Sequence, residues 1–571
     1  MNSWKKFILF TLLYLVCLAI GRAQAPIDSI KGKFHPPMNI PLTLSGNFGE
    51  LRTNHFHTGI DIKTQGTEGI KVVAVEDGYI SRINISHYGY GLALYVDHPN
   101  GYTSVYAHLS KFSPEIEAET RKEQFRQQKE TITYYPEKGL LPVKKGGFIA
   151  YSGNSGSSGG PHLHFEIRET VSEKPINPLL LNFKITDTKP PLINGIKVYP
   201  INGSNVNGKH VDQFFVLSGG AGNYKLAEGS AIEVNGEFAL GIHTIDMLDA
   251  ASNKCGVYEI KLFVDNRVIF HQVMDKLDFY TNRYINAHKD YAEFHRNNRS
   301  LHRSFLLANN MLPIYEVVEN RGVIHFTDNK MHQLRYEVKD SHGNLSTLHF
   351  DIKHNSKLAT QDVNTAGWLN CNDENVIKGE HFKLFLPAKA LYEDVMLPVK
   401  HDSMSNRVTI GNENIPFQQY FVLKMKGVNI SGEHEEKILL ARENSKGSIS
   451  ATYPANIENG WVSGRLRDPG TYKIVIDTVP PRIIPVNIAD GKDLSAVKSI
   501  IFNVTDNLSG IETYDVFIND EWKLSFFDRK KNTVTLPFDN YNNIGKGSHK
   551  LRLEAIDERG NKSVYEATFI R

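Results

Sequence analysis

Between residues 50 and 110 the apolar positions fall in short alternating runs rather than in helical stripes. Residues 70–75, 79–85, 92–96 and 103–107 each read as a strand, broken by Glu76-Asp77-Gly78 and Pro99-Asn100-Gly101. The Asn-Gly pair between two alternating runs predicts a hairpin. Residues 114–130 break this texture, being charged, rich in helix formers and almost free of β-branched side chains. They predict an exposed helical insertion, spanning about 111–141 with its flanks. Strands resume at 141–143, 148–151 and 162–167.

Beyond residue 185 the pattern becomes repetitive. Asp187-Thr188-Lys189-Pro190-Pro191 recurs as Asp477-Thr478-Val479-Pro480-Pro481, each opening a run of β-type segments. Turns with an Asp followed shortly by an Asn recur at Asp249 and Asn253, Asp340 and Asn344, and Asp557 and Asn561. Self-bonding Asp or Asn beside Gly is a common way to turn a strand pair, and short strands punctuated so predict Ig-like β-sandwiches. Asp-rich turns of this kind can bind calcium, although turn chemistry alone is enough to explain them. The expected division is a leader at 1–25, a first domain at 26–185, β-sandwich regions at 186–355 and 356–477, and a C-terminal Ig-like sandwich at 478–571. The fold class is therefore mainly β.

Length and charge narrow the function. A chain of 571 residues exceeds one core, and 40% hydrophobic residues suffice for several. Lys and Arg total 65 against 63 Asp and Glu, so no basic field draws the chain to nucleic acid or a membrane surface. Two lysines precede an apolar run at 7–20, followed by Gly21-Arg22-Ala23-Gln24-Ala25. That predicts a secretory signal peptide cut after Ala23 or Ala25, leaving an exported chain in the periplasm or at the cell surface, with no membrane span. Cys255 and Cys371, the cysteines left after processing, make neither a disulfide framework nor a CxxC metal pair.

Candidate chemistry lies in three segments: Asn54-His55-Phe56-His57-Thr58-Gly59-Ile60-Asp61, Tyr106-Ala107-His108-Leu109, and Gly160-Pro161-His162-Leu163-His164-Phe165-Glu166. Alternate residues of a strand share a face, so His162 and His164 project together while Leu163 and Phe165 pack inward. His57 and Asp61 add an imidazole and a carboxylate on a turn leading into a strand. Two imidazoles and one aspartate can hold a zinc ion and leave one coordination position for water, which suits hydrolysis.

Read in order, His-x-x-x-Asp, a lone His before Leu, and His-x-His after a Gly/Ser-rich loop resemble the lysostaphin-type (LytM-like) peptidoglycan endopeptidases over roughly residues 50–170. Lys144-Lys145-Gly146-Gly147-Phe148-Ile149-Ala150-Tyr151-Ser152-Gly153 is similar to that family's approach to the His-x-His strand. The resemblance implies an antiparallel β-sheet peptidase domain with Zn2+ on His57, Asp61 and His164. His108 and His162 are then the catalytic histidines beside it, and peptidoglycan stem or cross-bridge peptides the substrate. It prefers His57 over His55 as ligand, leaving His55 outside the ligand set. Arg52 reads equally as cleft edge or plain surface, and Glu166 as a solvated residue on the histidine face. The insertion departs from the family and either narrows the groove or, with the C-terminal domains, contacts an envelope protein. Residues 153–160 lack the Gly-Lys-Ser/Thr of a phosphate cradle and read as a cleft wall. His434-Glu435 has no second His at thermolysin-like spacing. The alternatives to a zinc endopeptidase are a non-catalytic peptidase-like regulator of the envelope and a β-sandwich adhesin or binding scaffold.

Overall fold

The computed structural model describes residues 27–571 apart from 230, 250 and 428–431, so the expected leader lies outside the described residues. Among those described, no helix is long and apolar enough to cross a membrane. Strands dominate, as the alternating pattern predicts.

Eleven strands make the first sheet: β1 (Leu44–Gly46), β2 (Ile60–Lys63), β3 (Lys71–Val73), β4 (Gly78–Ile85), β5 (Leu92–Asp97), β6 (Tyr102–Phe112), β7 (Ile132–Tyr134), β8 (Pro142–Val143), β9 (Phe148–Ser152), β10 (His162–Glu169) and β11 (Pro175–Ile176). They lie in the spatial order β1-β2-β10-β6-β5-β4-β7, with β9 joining β6 to β3, β8 on β4 and β11 on β10. The predicted hairpin joins β5 and β6, and Gly101 turns it in the left-handed region at φ 84°. Along β10, Leu163, Phe165 and Ile167 are fully buried with Ile60, Ile62, Leu94 and Tyr106 in one core. His162, His164, Glu166 and Arg168 alternate with them and face the other way.

The insertion forms the helix Pro114–Gln127, started by Pro114 and an acidic first turn, and ended by Gln128 in the left-handed region. It is not free in solvent. Ile116, Thr120 and Gln124 are buried, Phe125 meets Trp522 edge-on at 5.6 Å, and the Arg121 guanidinium lies 4.6 Å from the Phe526 ring centre. The Phe527 amide donates to Glu130, and Lys530 reaches the carbonyl of Asn154. The expectation of an exposed insertion fails because its charged residues rim a helix whose side the chain's own last two sheets cover.

Residues 192–354 pack a five-stranded against a nine-stranded sheet around Ile196, Leu240, Ile260, Phe270, Tyr336 and Leu348. This region also clamps the segment leading into β2. Asn47 exchanges two 2.7 Å hydrogen bonds with the backbone of Gly256, the Phe56 amide donates to Asn282, and Lys289 donates to the Arg52 carbonyl. Phe48, Leu51 and Phe56 are buried with Met274, Leu277, Ile285 and Ile314. A nine-stranded sheet between Asn375 and Ile476 follows, then paired sheets of four and five strands to Ile570. Cys255 and Cys371 are buried and unpaired with one another.

Replacing Phe165 by Ala should cost ~3–5 kcal/mol, because its fully buried ring packs on Tyr106 and Phe183 and the site strand cannot collapse into the gap. Calorimetric melting of the full chain checks this, and an unmoved profile would mean that the first core is not limiting.

Candidate metal centre and active site

Register brings the first two groups together. His164 on β10 pairs directly with Asp61 on β2, and cross-strand partners share a face. His57 comes from the turn before β2, held by hydrogen bonds between its backbone and Gly49 and Glu50. Gly59 makes this approach feasible, since a Cβ there would lie 2.4 Å from the Phe165 carbonyl oxygen. The result is a triangle: His57 Nε2 is 3.0 Å from His164 Nδ1 and 3.0 Å from Asp61 Oδ1, and His164 Nδ1 is 2.9 Å from Asp61 Oδ1. All three residues are buried.

The protons are placed by the outer contacts. The His57 Nδ1–H donates to the Asn47 carbonyl at 2.8 Å, leaving Nε2 a lone pair. The His164 Nε2–H donates to Glu166 at 2.8 Å, leaving Nδ1 a lone pair. Two imidazole lone pairs cannot bond each other, and a carboxylate beside them deepens the demand for positive charge. Three donors held by one tetrahedral zinc at roughly 2.0–2.2 Å would lie about 3.4 Å apart, so the observed edges of 2.9–3.0 Å have only to open by about half an ångström. The donor set fits zinc.

Electrostatics agree. Burial holds His57 down to about 4, against the pull of Asp61. Burial also opposes a charged His164, yet its hydrogen bonds to Asp61 and Glu166 raise it to about 9. Positive charge at this point is strongly favoured.

His108 reaches the site by an irregularity. On β6 it is Ala107 that stands opposite His164, so simple alternation would aim His108 away. The β5–β6 register shifts between Leu92 and Leu94, and His108 adopts φ 57°. This bulge turns the ring back, 4.8 Å from the His162 ring and 5.8 Å from that of His164, centre to centre. The Nδ1–H of His108 donates to the Ser155 carbonyl at 2.9 Å and that of His162 to the Gly160 carbonyl at 2.8 Å. Both Nε2 atoms are left without those partners, and His162 Nε2 lies 3.5 Å from Asp61 Oδ1. Burial, then the neighbouring His164 and His162, hold His108 down to about 3, so it is neutral at physiological pH. The 153–160 loop therefore fixes two ring orientations besides walling the cleft.

Two sequence readings change here. Glu166 is fully buried, not solvated: besides His164 it accepts from Thr58 and Tyr90 at 2.6 Å each and from Arg168 Nε at 2.6 Å. Its carboxylate stays ionised because, against its burial, Arg168 and His164 lower its pKa. Arg52 is not plain surface: half-buried at the edge of the site, its Nη2 holds Asp61 Oδ2 at 2.6 Å. His55 is exposed and turned to the Thr53 carbonyl, outside the triangle. Tyr90 and Arg168 carried no motif of their own. The every-second-residue run through Glu166 to Arg168 was the available signal.

Residues 55–140 match the model of peptidase family M23, and residues 366–477 that of the Zu5-like domain. The DD-carboxypeptidase/endopeptidase Mpg of Neisseria meningitidis serogroup B is 33% identical over 154 residues, 26% of this chain and 29% of its own length. The chain carries a peptidase M23 domain. An uncharacterized metalloprotease of Haemophilus influenzae is 29% identical over 174 residues, 30% of this chain and 29% of that protein. The chain thus spans under a third of each of these relatives. Among solved structures, the catalytic domain of the prophage-encoded M23 protein EnpA from Enterococcus faecalis is 23% identical, covering 26% of this chain and 96% of that domain with a TM-score of 0.20. The family match stops at residue 140, before β10, so it is the sheet that carries His162 and His164 to the M23 segment.

Glu166→Gln should weaken zinc binding by roughly 10–100-fold, because it loses the anion that orients His164. It should also destabilise the sheet by about 3–5 kcal/mol, because the buried Arg168 keeps, as its only ion pair, a 3.6 Å contact with the half-exposed Glu173. Competition against a chromophoric chelator measures the first effect, and unchanged affinity would detach Glu166 from the metal.

Proposed function

We propose that the chain is an exported zinc metalloendopeptidase that hydrolyses peptide cross-links of bacterial peptidoglycan. The observation that carries the reading is the convergence of two imidazole lone pairs and a carboxylate beneath a second, unligated pair of histidines. His57, Asp61 and His164 hold the zinc ion. Bound there, zinc lowers the pKa of a water and polarises the scissile carbonyl. The remaining roles belong to side chains of this chain.

His108 and His162 flank the opening of the site and are half-buried, whereas the triangle lies beneath them. A substrate carbonyl approaching from solvent therefore meets their Nε2 atoms first. One of these imidazoles takes the proton of the attacking water, and once protonated it stabilises the developing oxyanion and returns the proton to the leaving amine. Asp61, tied to Arg52 through its second oxygen, keeps its first oxygen aimed at the metal. The M23 match and the metallopeptidase relatives support the peptidase class, and the Neisseria relative's name supports a cell-wall substrate. The same reading keeps domain boundaries near 186, 356 and 478, with the later β regions placing the peptidase in the envelope.

Zinc content and turnover of purified cross-linked muropeptides test the assignment. Asp61→Ala should lose both metal and activity. His162→Ala should keep its zinc and lose about 10²–10⁴-fold in kcat. Chelation of the native chain should abolish turnover and added zinc restore it. Equal turnover by all three proteins would refute this chemistry.

A further inference from the structure

Away from the M23 sheet, Asp477, Asp506 and Asp557 each direct one carboxylate oxygen to within 4.8 Å of the others. Asp477 follows the strand Gly470–Ile476, Asp506 follows Ser499–Thr505, and Asp557 ends Ser548–Asp557. Three segments far apart in the chain thus meet where the Zu5-like segment passes into the last pair of sheets. No lysine, arginine or histidine forms an ion pair with any of the three among the described residues.

Local hydrogen bonds account for only part of this oxygen. Asp557 accepts from the amides of Arg559 and Asn561 and from the Asn561 side chain, which is turn chemistry. Asp477 accepts at Oδ2 from the Ser509 amide, and Asp506 at Oδ2 from Leu508 and Gly510. Asp477 Oδ1 and Asp506 Oδ1 are buried without any partner, although Asp477 is only 1% exposed. The hydroxyl of Ser509, on the residue whose amide holds Asp477, is likewise buried and unpartnered. Buried carboxylate oxygens are rarely left so, and here two stand beside a third carboxylate.

A related cluster stands in the middle sheets. Asp187 and Asp340 meet there, with the Asn344 side chain on the Asp187 carbonyl as Asn561 is on that of Asp477, and Asp246 lies near enough for both to act on it. There too, Asp187 Oδ2 and Asp246 Oδ1 are buried without a hydrogen-bond partner, although His342 Nδ1 stands 3.8 Å from the former. Burial, then Asp187 and Asp340, push Asp246 up to about 8. In that cluster His342 joins the set, whereas the C-terminal one offers oxygen alone.

We propose that Asp477, Asp506 and Asp557 bind a calcium ion that locks the junction between the Zu5-like segment and the C-terminal sheets. All-oxygen, carboxylate-rich donors select a hard cation, and donors drawn from two loops and a strand end suit calcium, which accepts irregular oxygen geometry, over magnesium, which demands a near-ideal octahedron. The ion neutralises three converging anions and fixes the sheets that carry Trp522 and Phe526 onto the M23 insertion. The proposal does not depend on peptidase activity.

The test uses the full-length chain, stripped of divalent ions by chelator and resupplied with zinc. Calorimetric titration with CaCl2, with MgCl2 in parallel, is combined with mass-spectrometric counting of bound calcium separately from zinc. The native chain should take up calcium saturably, and its unfolding midpoint should rise by several degrees. Asp506→Asn should bind one calcium fewer, and the milder Ser509→Ala should bind it several-fold more weakly. No saturable uptake by the native chain at millimolar calcium, an equal calcium count in Asp506→Asn, or magnesium bound as tightly as calcium would each overturn the proposal.

Discussion

The site depends on one electrostatic requirement. Two imidazole nitrogens whose protons are committed elsewhere face each other at 3.0 Å with an aspartate oxygen completing the triangle. Left neutral, the grouping is repulsive and buried, which is unfavourable on both counts. It therefore demands a positive charge: a metal ion, or a proton on His164, whose pKa, against its burial, is raised to about 9 by its hydrogen bonds to Asp61 and Glu166. Everything around it keeps those lone pairs pointing inward: the Asn47 carbonyl on His57, Glu166 on His164, and Arg52 on the far oxygen of Asp61.

Those outer contacts form a ladder on the face of β10 opposite the core. His162, His164, Glu166 and Arg168 alternate with Leu163, Phe165 and Ile167, so one strand carries an apolar set and a chemical set at once. Arg168 neutralises Glu166, Glu166 orients His164, and His164 faces the metal position. Tyr90, from the turn before β5, joins Glu166 and Arg168 from the side. Affinity for a dication placed there would thereby be set by residues that never touch it.

Much of this was legible in the sequence. Alternation gave the strands, the Asn100-Gly101 hairpin and the shared face of His162 and His164, and helix formers marked the insertion. The family resemblance singled out His57, Asp61 and His108. What sequence could not give was long-range coverage. Glu166 reads as solvated because nothing local says that Tyr90 and Thr58 will close over it. The insertion reads as exposed because Trp522 and Phe526, which cover it, lie some four hundred residues on. His108 would have been aimed wrongly by period-two counting alone, since the bulge that redirects it is a property of register with β5.

The clamp on the segment before β2 gives the peptidase unit an unusual dependence. Asn47, Arg52, Asn54 and Phe56 are each hydrogen-bonded to residues beyond 250, and Phe48 and Leu51 are sealed by Met274 and Ile314. The M23 segment is therefore not a cassette that could be excised or transplanted intact. Cut loose at its apparent edge, it would present an apolar patch to water and slacken the turn that carries His57. Any rearrangement that moves the M23 segment must move its neighbour with it, so the two regions are constrained to travel as one inherited piece.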